Sequence, residues 1–121
     1  PRITMSIRFS LIIALALFSL KGHGQTVELA YFKNNLGVQN SQIIKAAQDM
    51  QSTIRAWPGF ISRELVYLEG NNWVDIVHWD NSQAAQNAVE SAMKSPVCLN
   101  FFALIQSEPE DMQHGEIKIM Q

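Results

Sequence analysis

Two polar side chains, Asp75 and His114, lie within apolar stretches and could carry out proton transfer. Asp75 is flanked by Val74 and Ile76, and the histidine lies in the last apolar stretch of the chain. A buried carboxylate needs a hydrogen-bond donor, which a histidine can supply directly or across a strand through Tyr31. A histidine oriented in this way can remove a proton from a phenolic hydroxyl group. We therefore predict His114 and Asp75 as a catalytic pair, and the alternative is a structural hydrogen bond that ties two strands together.

Aromatic side chains could form the walls of a site beside this pair. Aromatic rings stack on flat ligands, and the alternative is that they are simply core residues. The sequence has no phosphate-binding glycine loop, no cluster with metal-ligand spacing and no nucleophile elbow, so we predict neither a metal nor a cofactor. The predicted substrate-binding residues are Tyr31, Trp73, Phe101 and Phe102.

The clearest structural pattern is a hairpin in the middle of the chain. Phe60–Leu68 and Trp73–Trp79 are rich in β-branched and aromatic residues, and a turn cluster at Glu69–Asn72 separates them. A Pro-Gly pair precedes the hairpin and ends a helix there. We expect Arg63 and Glu64 to form an ion pair at a surface or interface.

The remaining elements complete the order β-α-β-β-α-β, which is the ferredoxin-like unit. We predict an α+β fold in which an antiparallel four-stranded sheet, ordered 4-1-3-2, carries both helices on one face. This order brings His114 to the end of the sheet that holds Trp73 and Lys33, away from His78. The further predicted elements are strands Thr26–Lys33 and Met112–Met120, helix Ser41–Ala56 with Ser41 as its cap, helix Ser82–Lys94 with Asp80, Asn81 and Ser82 as candidate caps, and a short helix that Ser95 caps and Pro96 starts.

Both faces of the predicted hairpin are apolar. Val74, Ile76 and His78 alternate with tryptophans and Val77 on the third strand, and Phe60 shares a face with Val66 and Leu68 on the second. Both predicted helices lie on one face of the sheet, so they leave the other apolar face without cover. We therefore predict a homodimer in which a second subunit covers the other face.

The first residues have the pattern of a secretory signal peptide. Arg8 precedes an apolar run, Phe9–Leu20, which is short for a membrane span and is followed by small residues. We predict a signal peptide with upstream residues at 1–24, one domain at 25–121, and a periplasmic or secreted protein that is not membrane-bound after cleavage; the alternative is an uncleaved anchor. Cleavage removes three basic residues and no acidic ones, leaving six basic and eleven acidic residues. A net negative domain is unsuited to nucleic acid.

The run PGFIS at Pro58–Ser62, the run WVDIVHWD at Trp73–Asp80 and the alanine-rich helix after it resemble the antibiotic biosynthesis monooxygenase-like group. That resemblance implies a dimeric α+β barrel, in which two ferredoxin-like subunits pack sheet to sheet. The group includes cofactor-free oxygenases that act on polyphenols or quinols, haem-degrading enzymes and proteins of no known activity. Its catalytic residues vary between members, so the resemblance assigns none here.

Three functions are consistent with the sequence. The first is a small, cofactor-independent monooxygenase-like oxidoreductase that binds an aromatic or quinone-type molecule between sheet and helices. The second is a non-catalytic module in the cell envelope that binds a small hydrophobic ligand, with haem as one alternative. The third is a dimer that acts through interaction with another protein. Fold-level analogy alone does not decide among them.

Overall fold

The computed structural model describes residues 24–121 of the chain. The predicted signal peptide lies outside the described residues, apart from Gly24. In chain order the elements are β1 (Thr26–Asn34), α1 (Asn40–Asp49), α2 (Gln51–Arg55), β2 (Phe60–Leu68), β3 (Asn72–Trp79), α3 (Ser82–Ala92), α4 (Pro96–Ala103), β4 (Ile105–Gln106), a 3₁₀ turn (Pro109–Asp111) and β5 (Met112–Glu116).

The strands form one antiparallel sheet in the order β2-β3-β1, and the free edge of β1 is shared by β4 and β5. β5 pairs with Thr26–Ala30, and β4 pairs with Lys33 and Asn34. The predicted ferredoxin-like order is thereby confirmed. The last strand is shorter than predicted, and the two-residue β4 was not predicted. Pro109 has no N–H group to donate to a neighbouring strand, so the chain leaves the sheet between β4 and β5.

The helices confirm two of the predicted caps and correct a third. The Asn81 side chain accepts from the Ala84 amide at 2.8 Å, and the Ser95 hydroxyl accepts from the Cys98 amide at 3.5 Å. The predicted cap at Ser41 is wrong, because α1 begins one residue earlier behind Gln39. The side chain of Gln42 accepts from the Gln39 amide at 2.8 Å, which completes a capping box. The predicted single helix is divided in two at position 50.

One face of the sheet, the inner face, packs on the helices and forms the core. Trp73, Val77 and Trp79 of β3 point to this side, as the alternation of the strand predicts. The prediction for Phe60 is wrong: a β-bulge between Phe60 and Ser62 inserts an extra residue. Phe60 therefore lies on the inner face, where its ring packs edge-on against Trp79.

The opposite face of the sheet, the outer face, is rich in apolar residues on its three longest strands. The registers of β1 with β3 and of β2 with β3 put every second residue of each strand on this side. The outer face includes Val27, Leu29 and Tyr31 of β1, Val66 and Leu68 of β2, and Val74, Ile76 and His78 of β3.

Among residues 24–121 no helix combines the length and apolar character that a membrane crossing requires.

Candidate functional site

A cavity of about 90 Å³ lies between the inner face of the sheet and the helices. Most of its wall is apolar, and the acidic side chains Glu28 and Asp75 and the thiol of Cys98 are among its lining groups. The aliphatic and thioether walls come mainly from Met50, α2 and α3 with the residue that follows it, and the aromatic walls come from Trp57, β1, β3 and α4. The apolar lining includes Met50, Ile54, Val77, Trp79, Met93, Phe101 and Phe102.

Glu28 is the most perturbed ionisable group of this cavity. Its strand register with Val77 places it on the inner face, and its Oε1 atom accepts a hydrogen bond of 2.9 Å from the Trp79 indole. The residue is half-buried, but its carboxyl group is desolvated, and this burial raises the pKa of Glu28 from 4.5 to about 7. The hydrogen bond from Trp79 opposes the rise, and the negative charge of Asp75 adds to it. A carboxyl group with this pKa can gain or lose a proton near neutral pH.

Asp75 is held by Arg63 in a buried ion pair. The guanidinium donates from Nε to Oδ1 at 2.9 Å and from Nη2 to Oδ2 at 2.7 Å. The third donor, Nη1, bonds the carbonyl of Ala47 at 2.9 Å, so the arginine ties the sheet to α1. The expected surface or interface pair of Arg63 with Glu64 is therefore wrong. Leu65 pairs with Asp75, which puts Arg63 on the inner face with the aspartate.

His114 lies on the inner face, but at a different level from the one predicted. It is paired with Glu28, whereas Asp75 is paired with Ala30, two residues further along β1. The predicted position near Trp73 is wrong because the two-residue β4, not the start of β5, occupies that end of the sheet. The donor that Asp75 was expected to take from His114 comes from Arg63 instead. Burial lowers the pKa of His114 from 6.5 to about 4, so the imidazole is neutral at physiological pH.

The predicted aromatic residues divide between two places. Phe101 and Phe102 line the cavity. Tyr31 borders it, although its register with Val74 places the Tyr31 side chain on the outer face. Trp73 instead lines a wider groove of about 440 Å³ between α1 and β2, where its ring lies 4.5 Å from that of Tyr67.

Glu28 is absent from the predicted site residues, although the sequence contains a signal for it. The predicted strand at 26–33 has apolar or aromatic residues on both faces, and Glu28 is its only internal charge. A single carboxylate in such a strand must be solvated, paired or protonated. The structure shows a raised pKa and a hydrogen bond from Trp79 rather than an ion pair.

The cavity does not fit a haem group. It is far smaller than a four-pyrrole macrocycle, and neither of the histidines described in residues 24–121 lines it. His78 pairs with Val27 and lies on the outer face, whereas His114 lies on the inner face. Within the same residues no cluster of three acidic, cysteine or histidine side chains could hold a metal ion. Burial raises the pKa of the Cys98 thiol, which disfavours the reactive thiolate.

Comparison with known proteins identifies similar structures but no sequence relatives. No protein-family sequence profile matches the chain, and no curated protein sequence does. SnoaB, a cofactor-independent oxygenase from Streptomyces nogalater, is similar with a TM-score of 0.63 and 17% identity, over 81% of this chain and 95% of SnoaB. A predicted antibiotic biosynthesis monooxygenase from Chloroflexus aurantiacus has a TM-score of 0.59 and 12% identity, over 81% and 97% of the two chains.

A third similar structure is Rv0793 from Mycobacterium tuberculosis, with a TM-score of 0.56 and 17% identity, over 81% of this chain and 97% of that protein. At identities this low the likeness concerns the fold and not the reaction. The three proteins are each covered almost completely, so the similarity extends over a whole domain. The chain described here has the ferredoxin-like fold of the antibiotic biosynthesis monooxygenase-like proteins.

Proposed function

We propose that this protein is a small, cofactor-independent oxygenase that acts on a phenol or hydroquinone bound between the sheet and the helices. The observation that carries the proposal is the Glu28 carboxyl group, which has a pKa of about 7 and faces a mostly apolar cavity. The similarity in fold to SnoaB, a cofactor-independent oxygenase, supports the same class of reaction. In this proposal the protein supplies a base and a mostly apolar pocket, and the substrate supplies the electrons.

The reaction needs no external reductant. A hydroquinone and O₂ give a hydroxyquinone and water: one oxygen atom replaces a ring hydrogen, and the other leaves as water. All four electrons that reduce O₂ come from the ring. Removal of a phenolic proton makes the ring electron-rich enough to pass an electron to O₂, so proton abstraction is the step that a protein base accelerates.

Glu28 is the base in this proposal. A base acts best when its pKa lies near the working pH, because a useful fraction is ionised while the proton affinity stays high. The Trp79 indole holds one carboxylate oxygen, which fixes the direction of the other. Asp75 is less suited to accept a proton because both of its oxygens already accept from Arg63. Its proposed role is therefore to set the charge around the cavity.

His114 remains a candidate in this proposal as the neighbour of Glu28. The two residues are paired across β1 and β5 and share the inner face of the sheet. With a pKa of about 4 the imidazole stays neutral near pH 7, so the proposed role of His114 is to orient the carboxyl group rather than to accept its proton. The proposal thus replaces the predicted pair of His114 and Asp75 by His114 and Glu28.

We further propose that the protein is a homodimer that packs through the outer face. Six aliphatic side chains line that face; in the single chain Val74 is buried and the other five are half-buried, so a second subunit would remove from water the surface that these five still expose. Burial of such a surface is the usual driving force for subunit association. The similar fold of the proteins compared above supports this arrangement without setting its geometry.

Oxygen consumption tests the proposed reaction. The purified protein is mixed with hydroquinone in air-saturated buffer near pH 7, and uptake is corrected for autoxidation without protein. We expect protein-dependent uptake that falls at least about tenfold in Glu28→Gln, in line with the loss of a general base. The matched control is Glu90→Gln, the same change at an exposed position on α3, which should leave uptake unchanged.

The remaining candidates are tested by His114→Ala and Asp75→Asn in the same assay. Folded variants that keep wild-type uptake would remove those residues from the proposed chemistry. No uptake by the wild-type protein with any hydroquinone would contradict the proposed reaction. Saturable binding of hydroquinone without uptake would then favour the second candidate, a module that binds a small hydrophobic ligand, which the apolar lining also suits.

A further inference from the structure

We infer that the cavity selects compounds built on a single six-membered aromatic ring with at least one hydroxyl group, and that it excludes fused two- and three-ring compounds. This inference deepens the proposed function and rests on it for the reaction. The binding preference itself rests only on the size of the cavity and on its polar groups. The substrate class is therefore monocyclic phenols and hydroquinones.

The size of the cavity sets the upper limit on the ligand. Its volume is about 90 Å³. An engineered apolar cavity of about 150 Å³ in another protein binds benzene, so one ring already requires modest adjustment here. Well-packed protein interiors resist larger expansions because each displaced side chain must leave its preferred rotamer. A second fused ring would need such an expansion.

The walls that limit the cavity are rigid on the sheet side and adjustable on the helix side. Trp79 and Val77 are 2% and 7% exposed and belong to the central strand β3, which is paired on both sides. Met93 and Phe102 are half-buried and lie at the end of α3 and on α4. Small movements of these two side chains can admit one ring, and their truncation should admit more.

The polar groups of the cavity select for a hydroxyl group. The Glu28 carboxyl group accepts from the Trp79 indole through Oε1, and its other oxygen can accept from a ligand hydroxyl. Desolvation makes a hydrogen bond to this carboxylate stronger than the same bond in water. Both oxygens of Asp75 already accept from Arg63, so Glu28 is the carboxylate that remains available to a ligand hydroxyl. A ring without a hydroxyl group should therefore bind more weakly.

Calorimetric titration of the intact protein measures this preference without turnover. The ligands are phenol, hydroquinone, toluene and 1-naphthol, titrated under anaerobic conditions, and the indole N–H resonance of Trp79 reports occupancy of the site by NMR. We expect phenol and hydroquinone to bind at least about tenfold more tightly than 1-naphthol and toluene. In Glu28→Gln the preference of phenol over toluene should fall, with toluene binding unchanged.

Truncation of the wall tests the size limit. Phe102→Ala and Met93→Ala should each improve 1-naphthol binding relative to phenol by at least about fivefold, because they remove side-chain volume from the cavity wall. Leu99→Ala is the matched control, since Leu99 is on the same helix as Phe102, is 42% exposed and does not line the cavity. Two wall variants are used so that failure of one to fold leaves the other as the test.

The outcomes separate this inference from the proposed function. Tight binding of 1-naphthol by the wild-type protein, with the same Trp79 shift as phenol, would overturn the size limit even if hydroquinones are oxidised. Equal binding of toluene and phenol would overturn the hydroxyl preference. Selective binding of single-ring phenols without any oxygen uptake would support the inference and contradict the proposed reaction.

Discussion

Replacement of Glu28 by glutamine should make the protein more stable at alkaline pH. In the folded protein the pKa of Glu28 is raised from 4.5 to about 7, so folding favours the protonated carboxyl group. This stabilising contribution is fully present below about pH 4.5 and is lost as the pH rises through about 7. The size of the shift corresponds to about 3.5 kcal/mol of unfolding free energy, at about 1.4 kcal/mol for each pKa unit. Glutamine cannot ionise and avoids this loss.

His114 should make the opposite contribution to the pH dependence of the unfolding free energy. Its pKa is lowered from 6.5 to about 4 by burial, so the neutral form is favoured in the fold. The stability that His114 contributes is present above about pH 6.5 and is lost as the pH falls through about 4. Between about pH 4.5 and 6.5 the two effects oppose each other, and the contribution of this pair to the stability of the wild type should change little.

Urea unfolding at a series of pH values from about 4 to about 9 tests both statements. From about pH 5 to about pH 8 the wild type should lose about 2–3 kcal/mol relative to Glu28→Gln, whose stability should instead fall on the acid side as His114 titrates. Glu90→Gln is the exposed control and should follow the wild type. Parallel curves for the wild type and Glu28→Gln would refute the desolvation of Glu28 and, with it, the account of the cavity.

Three further predictions concern the ion pair, the dimer and the leader. Arg63→Met should lower the unfolding free energy by about 3–5 kcal/mol in urea because it leaves the Asp75 carboxylate buried without its donor, and Arg63→Met combined with Asp75→Leu should recover part of that loss. Sedimentation should show a dimer for the wild type and a monomer for Ile76→Lys on the outer face, whereas Leu36→Lys in an exposed loop should remain dimeric. Mass spectrometry of the exported protein should give a chain that begins at or near Gln25, and an intact leader in the membrane fraction would contradict the proposed export.

Much of the fold could be predicted because its signals are local. The turn between β2 and β3 contains Gly70 and Asn71, both with positive φ, which is the chemistry that a tight hairpin loop requires. The caps Asn81 and Ser95 act through side chains that bond the next turn of the backbone. The order of elements then leaves few ways to build the sheet.

The arrangement of the site depends on register, which local patterns do not fix. The bulge at Ile61 turns Phe60 inward, and no residue preference in that stretch signals the extra residue. The position of His114 along the sheet depends on the register of β5 with β1. That register is set by where β5 resumes after the turn at Pro109. The sequence favours a surface position for Arg63 because arginine side chains are usually exposed. Its ion pair with Asp75 follows instead from the pairing of β2 with β3.

The pH dependence of hydroquinone oxidation tests the central claim most directly. Oxygen uptake is measured from about pH 5.5 to about pH 8.5, corrected at each pH for autoxidation, and expressed as kcat/KM. We expect kcat/KM of the wild type to rise with an apparent pKa of about 7, the pKa of Glu28, and Glu28→Gln to lose both the activity and this titration. A Glu28→Gln variant that keeps the wild-type rate and the same pH profile would rule out Glu28 as the base.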